Sequence, residues 1–152
     1  MEQFGQPSGW EDQSENRIKE EALRFEQMLK RGEYLYFDLV ALEEIYFFYL
    51  HKQEYTKALK LIDFAILQYP RTEELYFKRA AIYAETGRLE EAKEDVERAL
   101  ESNPNQMEYV FLKAEILSRD EQHEEAMSLL KNTSVSAEFK EELLFQMGSI
   151  AM

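Results

Sequence analysis

The sequence repeats itself every 34 residues, and that period limits what the chain can fold into more than any other feature it has. Pro70 and Pro104 lie one period apart, and shifting the chain by 34 brings further residues into register. Tyr49 falls on Tyr83 and then Leu117, Ala58 on Ala92 and Ala126, Ile62 on Val96 and Leu130, and Ala65 on Ala99. Each period carries two helical apolar patterns separated by a short polar break. In the middle period Thr72 stands where a first helix starts and Gly87 breaks it. A second helix then runs from Leu89 to about Ser102, and Asn103-Pro104 ends it. The unit is a helical hairpin. One hairpin cannot bury its apolar face alone, so neighbouring units must stack.

These positions resemble the signature of the tetratricopeptide repeat (TPR) family. The matching residues of the second unit are Tyr76, Arg79, Ala80, Tyr83, Ala92, Val96, Ala99 and Pro104, and those of the first are Leu42, Ile45, Tyr46, Tyr49, Ala58, Ile62, Ala65 and Pro70. The third keeps Val110, Lys113, Ala114, Leu117, Ala126 and Leu130 but has Thr133 and Glu138 where alanine and proline belong, so its second helix is expected to be short. A fourth begins at Glu141, with Leu144, Met147, Gly148 and Ala151 in register. The resemblance implies an all-α fold, an α-solenoid of antiparallel helix pairs in a TPR superhelix. It would hold about three repeats (39–72, 73–106 and 107–140) and a trailing half-unit at 141–152. Small residues such as Ala58, Ala92 and Ala126 would let paired helices approach closely, with Tyr49, Tyr83, Leu42 and Tyr76 filling the space between pairs.

Residues 1–14 are polar without apolar periodicity and read as a disordered tail. Residues 15–38 read as a leading helix and connector: Ile18, Ala22, Phe25 and Leu29 share one helical face, Ser14 suits an N-cap, and Gly32 suits a stop. The stretch from Leu39 to Lys52 is apolar nearly all round, and the leading helix is expected to cover it.

Composition excludes several classes of function. The 152 residues include 31 acidic and 18 basic side chains, a formal charge of −13, so nucleic acid and anionic membrane surfaces are poor partners. With no cysteine there is no disulfide, thiolate nucleophile or cysteine zinc site. The N-terminus lacks the features of a secretory signal, and the longest apolar run, Ile45 to Leu50, is far too short to span a membrane; a cytoplasmic location is expected. His51 and His123 fit no metal-binding pattern, and His123 takes the slot of Tyr55 and Leu89, where packing is the expected role. Glu90-Glu91 and Glu124-Glu125 recur one period apart at helix starts, where the helix dipole favours negative charge. No phosphate-binding loop or nucleophile elbow is present, so no enzyme activity, metal or cofactor is expected.

What remains is surface. The resemblance implies that the first helices of successive units line a groove. One residue after Tyr76, the register gives Phe77, Phe111 and Phe145, and three residues before Phe77 it gives Glu74, Glu108 and Glu142. Phe47 is expected to continue the apolar strip in the first unit. In the subclass of this family that clamps the carboxylate of chaperone tails, the clamp slots would fall on Glu43, Phe47, Lys78, Glu108 and Leu112. Only one of these is basic, so that activity is expected to be absent. The groove then predicts a protein or peptide partner that is basic with apolar anchors. The final helix would expose Leu144, Met147 and Ile150, which predicts either self-association as a homodimer or a longer array of which this chain is a fragment.

Overall fold

The computed structural model describes residues 9–133 and 137–151, and among these it is all-α. Eight α-helices follow in order: α1 Gly9–Arg31, α2 Leu39–His51, α3 Tyr55–Gln68, α4 Glu73–Glu85, α5 Leu89–Ser102, α6 Met107–Arg119, α7 His123–Lys131 and α8 Lys140–Ala151. A 3-10 turn at Ala137–Phe139 leads into α8. The succession α2–α3, α4–α5, α6–α7 follows the 34-residue period, and α7, with 9 residues, is the shortened second helix of its unit. The chain divides into two compact units, Met1–Leu67 and Gln68–Met152.

The turn inside each repeat is one piece of backbone used three times. Gln53, Gly87 and Glu121, spaced by the period, adopt φ of 57°, 78° and 61°. Each donates its amide to the carbonyl three residues back, on Leu50, Ala84 and Ser118. The next amide in each case reaches five back, to Tyr49, Tyr83 and Leu117. This double closure satisfies the carbonyls left open at a helix C-terminus. Gly32, with φ of 67°, ends α1 by the same two bonds, to Leu29 and Met28. Glycine takes this conformation without steric cost, whereas Gln53 and Glu121 carry a Cβ through it.

In the first unit, α1 packs on α2 through the buried Ala22, Phe25 and Met28. The helix starts at Gly9, so residues 9–14, expected in the tail, are helical, while residues 1–8 lie outside the described residues. No glycine or proline interrupts the chain from Trp10 to Arg31, and Ser14 therefore lies inside the helix rather than at its cap. The buried face also differs at its end. Met28 is 1% exposed and Leu29 is 41% exposed, because a step of three from Phe25 follows the 3.6-residue turn as well as a step of four. The connector contributes to the core: Phe37 is buried and packs edge-on against Phe25 and Phe64, with ring centroids 5.8 Å and 5.9 Å away. Phe25 and Phe64 close the triangle at 5.4 Å, an arrangement favoured by the ring quadrupoles. Asp38 caps α2, its carboxylate accepting the Ala41 amide at 2.8 Å.

In the second unit α4 packs on α5, α5 on α6, α6 on α7, and α8 against both α6 and α7. Ala80, Ala92, Ala99, Ala114 and Ala126 are fully buried, and these small side chains allow the close approach of the helices. Thr72 precedes α4 but makes no side-chain capping bond. The repeat's proline is tied in by Tyr76, whose hydroxyl donates to the Pro70 carbonyl at 3.1 Å. Arg119 joins successive repeats, donating to the Ala84 carbonyl at 2.8 Å and so occupying an acceptor at the end of α4. His123 is exposed and lies 3.3 Å from the Ser118 hydroxyl through Nδ1, so the packing role expected for it does not hold; as the first residue of α7 it sits at the surface.

Candidate partner-binding face

The first helices of the second unit, α4, α6 and α8, contact one another in sequence. They bring the expected glutamates to the surface: Glu74, Glu108 and Glu142 are all exposed. The aromatic row is not uniform. Phe77 is half-buried, with its ring 4.8 Å from Tyr109, while Phe145 is 71% exposed. Phe111 is 7% exposed and belongs to a core cluster with Met107, Ala114 and Leu130, where Phe139 packs against it at 6.1 Å. A residue covered in that way offers little to a partner. Phe47, in the first unit, is 54% exposed and packs its ring 5.3 Å from Tyr46.

Around Phe77 the electrostatics are acidic. Burial raises the ionisation of the Tyr109 phenol above the ordinary tyrosine range, and the charges of Glu73, Glu74 and Glu108 raise it further. Lys78, itself buried, donates to Glu74 at 2.8 Å. The single lysine among the clamp slots is therefore covered and engaged with a carboxylate.

Toward the end of the face lies a cleft of about 320 Å³ between α6 and α8, lined by Glu115, Arg119, Glu142, Phe145 and Ile150 among others. Arg119 is the cation here, and its guanidinium is already held by Glu115 at 2.8 Å and Glu85 at 3.0 Å. Arg119 and Glu85 stand one period apart, so equivalent positions of successive repeats form an ion pair. Glu142 adds a further exposed carboxylate. The cleft thus combines an open aromatic ring with net negative charge.

The residues expected to self-associate separate in the structure. Met147 and Ile150 pack with Phe139 and Leu143 against the Met107–Phe111–Leu130 cluster, which corrects their reading as an open face; Leu144 is 65% exposed. Lying at the same repeat register as other first-helix positions, they find a neighbour in α7 that the helical pattern of α8 alone does not show. The sequence pattern does not single out Tyr109, Glu115 or Arg119. The signal for Arg119 was a charge opposite to that of Glu85 one period earlier. Among the described residues no group of three or more His, Asp or Glu is placed to hold a metal ion, and no helix is long and apolar enough to cross a membrane.

The architecture is that of a helical-repeat protein. Residues 73–106, the second unit as bounded by the period, match the family model of the tetratricopeptide repeat. The solved TPR2B domain of yeast Sti1, in its complex with pHsp70, shares the fold at a TM-score of 0.60 and 22% sequence identity, over 71% of this chain and 94% of that one. No curated protein sequence matches the chain. Residues 73–106 thus read as one tetratricopeptide repeat, set among further helical hairpins of the same fold.

Proposed function

We propose that the chain is a non-enzymatic scaffold whose second unit binds a protein segment on the α4–α6–α8 face. The segment carries Lys or Arg beside apolar anchors. The observation that carries this reading is Phe145: its ring is 71% exposed, beside Glu115 and Glu142, in a cleft whose arginine is already paired. A large exposed aromatic in a concavity is the kind of anchor on which binding energy concentrates, and the carboxylates select the charge of what docks. Phe77 with Glu74 and Glu108 supplies a second contact region, and Phe111 supports it from below. The Sti1 domain was solved with a protein partner, which supports a partner-binding role for this fold; the acidic residues here favour a basic one.

The test is fluorescence anisotropy with a labelled peptide of alternating Lys and Leu, compared with one in which Glu replaces each Lys. The lysine peptide is expected to bind, and Phe145→Ala and Glu142→Lys each to weaken it by about tenfold. Equal binding of both peptides, or no effect of Phe145→Ala, would reject the reading. A second reading, self-association, draws on the adjacent exposure of Leu144 and Phe145. It requires a sedimentation coefficient that rises with concentration and stops rising in Leu144→Glu.

A further inference from the structure

The first unit carries a cleft of different character. Its volume is about 320 Å³, at the low end for small-molecule sites, and it lies where α1 and α3 meet Tyr49 of α2. Phe25 and Tyr49, each 1% exposed, form its floor, and Leu29 stands over it 41% exposed. Three lysines and one glutamate line it: Lys30, Lys57, Lys60 and Glu26. With Glu54, which also reaches Lys57, the cleft holds three positive and two negative charges, a small positive excess within a chain of net charge −13.

The lysines differ in what they are doing. Lys57 is engaged by Glu26 at 2.8 Å and by Glu54 at 3.5 Å, and its hydrogen bond to the Glu26 carboxylate favours the charged ammonium. Among the described residues, no ion pair engages Lys30 or Lys60. Two uncommitted ammonium groups thus flank an apolar floor, with an exposed leucine beside them.

We propose that this cleft binds a small monocarboxylate with an apolar body, its hydrocarbon laid along Leu29 and its carboxylate between Lys30 and Lys60. The lysine excess selects an anion over a cation. The exposed Leu29 selects a hydrocarbon over a sugar or an inorganic ion, because covering it removes apolar surface from water. The confined volume selects a free small acid over a folded partner. The site lies wholly in the first unit and does not depend on the partner-binding face of the second.

Backbone amide shifts of the full chain, titrated with octanoate, octylammonium and octanol, test the assignment. Octanoate is expected to shift residues 25–30 and 57–60 saturably, with octylammonium leaving them unmoved and octanol binding more weakly. The double variant Lys30→Glu/Lys60→Glu should weaken octanoate by at least about tenfold, and Leu29→Ala, which keeps every charge, by about fivefold. Both changes are at exposed positions, and unaltered helicity by circular dichroism confirms that the variants fold. Equal shifts from octylammonium, or octanoate affinity unchanged in the double variant, would overturn the proposal. So would a response to an acidic peptide ending in leucine with none to octanoate, which would make the cleft a protein contact.

Discussion

Arg79 and Asp95 clasp one another across the α4–α5 hairpin, Nε to Oδ2 at 2.7 Å and Nη2 to Oδ1 at 2.9 Å. Asp95 is only 5% exposed. The fork of a guanidinium matches a carboxylate in this two-bond geometry, which keeps both charges satisfied where water is scarce. One period earlier the same two positions hold Ile45 and Leu61, both fully buried. The repeat therefore accepts either an ion pair or two apolar residues here.

Breaking the pair on one side should cost far more than replacing both sides. Asp95→Ala is expected to destabilise the chain by about 3 kcal/mol, since Arg79 is left charged and mostly covered. The double change Arg79→Ile with Asp95→Leu, copying the first repeat, should recover most of that loss. Urea unfolding midpoints of the three variants decide it, and a double variant no more stable than Asp95→Ala would show that the pair is not replaceable.

The three left-handed turn residues offer a second test. Gln53 and Glu121 carry side chains at φ of 57° and 61°, a conformation that disfavours a Cβ by about 1–2 kcal/mol. Part of that is offset by the greater freedom of glycine in the unfolded chain. Gln53→Gly and Glu121→Gly should each raise stability by about 0.5–1 kcal/mol, whereas Gly87→Ala should lower it by about 1 kcal/mol. Thermal unfolding reads all three, and a lower midpoint for either glycine variant would contradict the strain assigned to those turns.

At high pH the tyrosines should govern stability. Burial raises the ionisation of Tyr46, Tyr49 and Tyr109 in the fold above the value of 10.0 for free tyrosine, and nearby glutamates reinforce it for Tyr49 and Tyr109. The folded state thus holds protons that the unfolded state releases, so stability is intact below about pH 10 and falls as pH rises above it. Urea midpoints measured from pH 8 to pH 11, alongside phenolate absorbance, should show the decline begin before these three residues ionise in the folded chain. Tyr46→Phe should flatten it.

The final helix should be the first of the second unit to open. None of its described residues is buried, and its apolar side chains, Leu143, Met147 and Ile150, are only partly covered by α6 and α7. Amide hydrogen exchange should therefore be faster in 140–151 than in α5, whose Ala92, Val96 and Ala99 are at most 1% exposed. Equal protection in the two helices would refute this ordering.

Much of the fold was legible because it depends on local pattern. Ala92, Val96 and Ala99 recur at a fixed period, and each lies on the inner side of its helix. The period is silent on what covers a given position. Phe77, Phe111 and Phe145 share a register yet are half-buried, buried and exposed, because Phe139 and the core around Leu130 close over Phe111 while nothing described covers Phe145. Phe37 escapes the pattern because it lies in a connector without periodicity, and only its three-dimensional meeting with Phe25 and Phe64 makes it core. The acidic row was readable from the register, but the commitment of Lys78 to Glu74 and of Arg119 to Glu85 and Glu115 required the structure.

The three identical turns leave a folding chain with little local means of telling one repeat from the next. A mispaired intermediate with α4 laid against α7 would still meet an alanine, Ala126, at the slot of Ala92. It would also set Arg79 against Leu129, the residue one period beyond Asp95, and strand a guanidinium among hydrocarbon. The Arg79–Asp95 clasp thus gives α4 a reason to prefer α5 over α7 that the shared small-residue pattern alone does not supply.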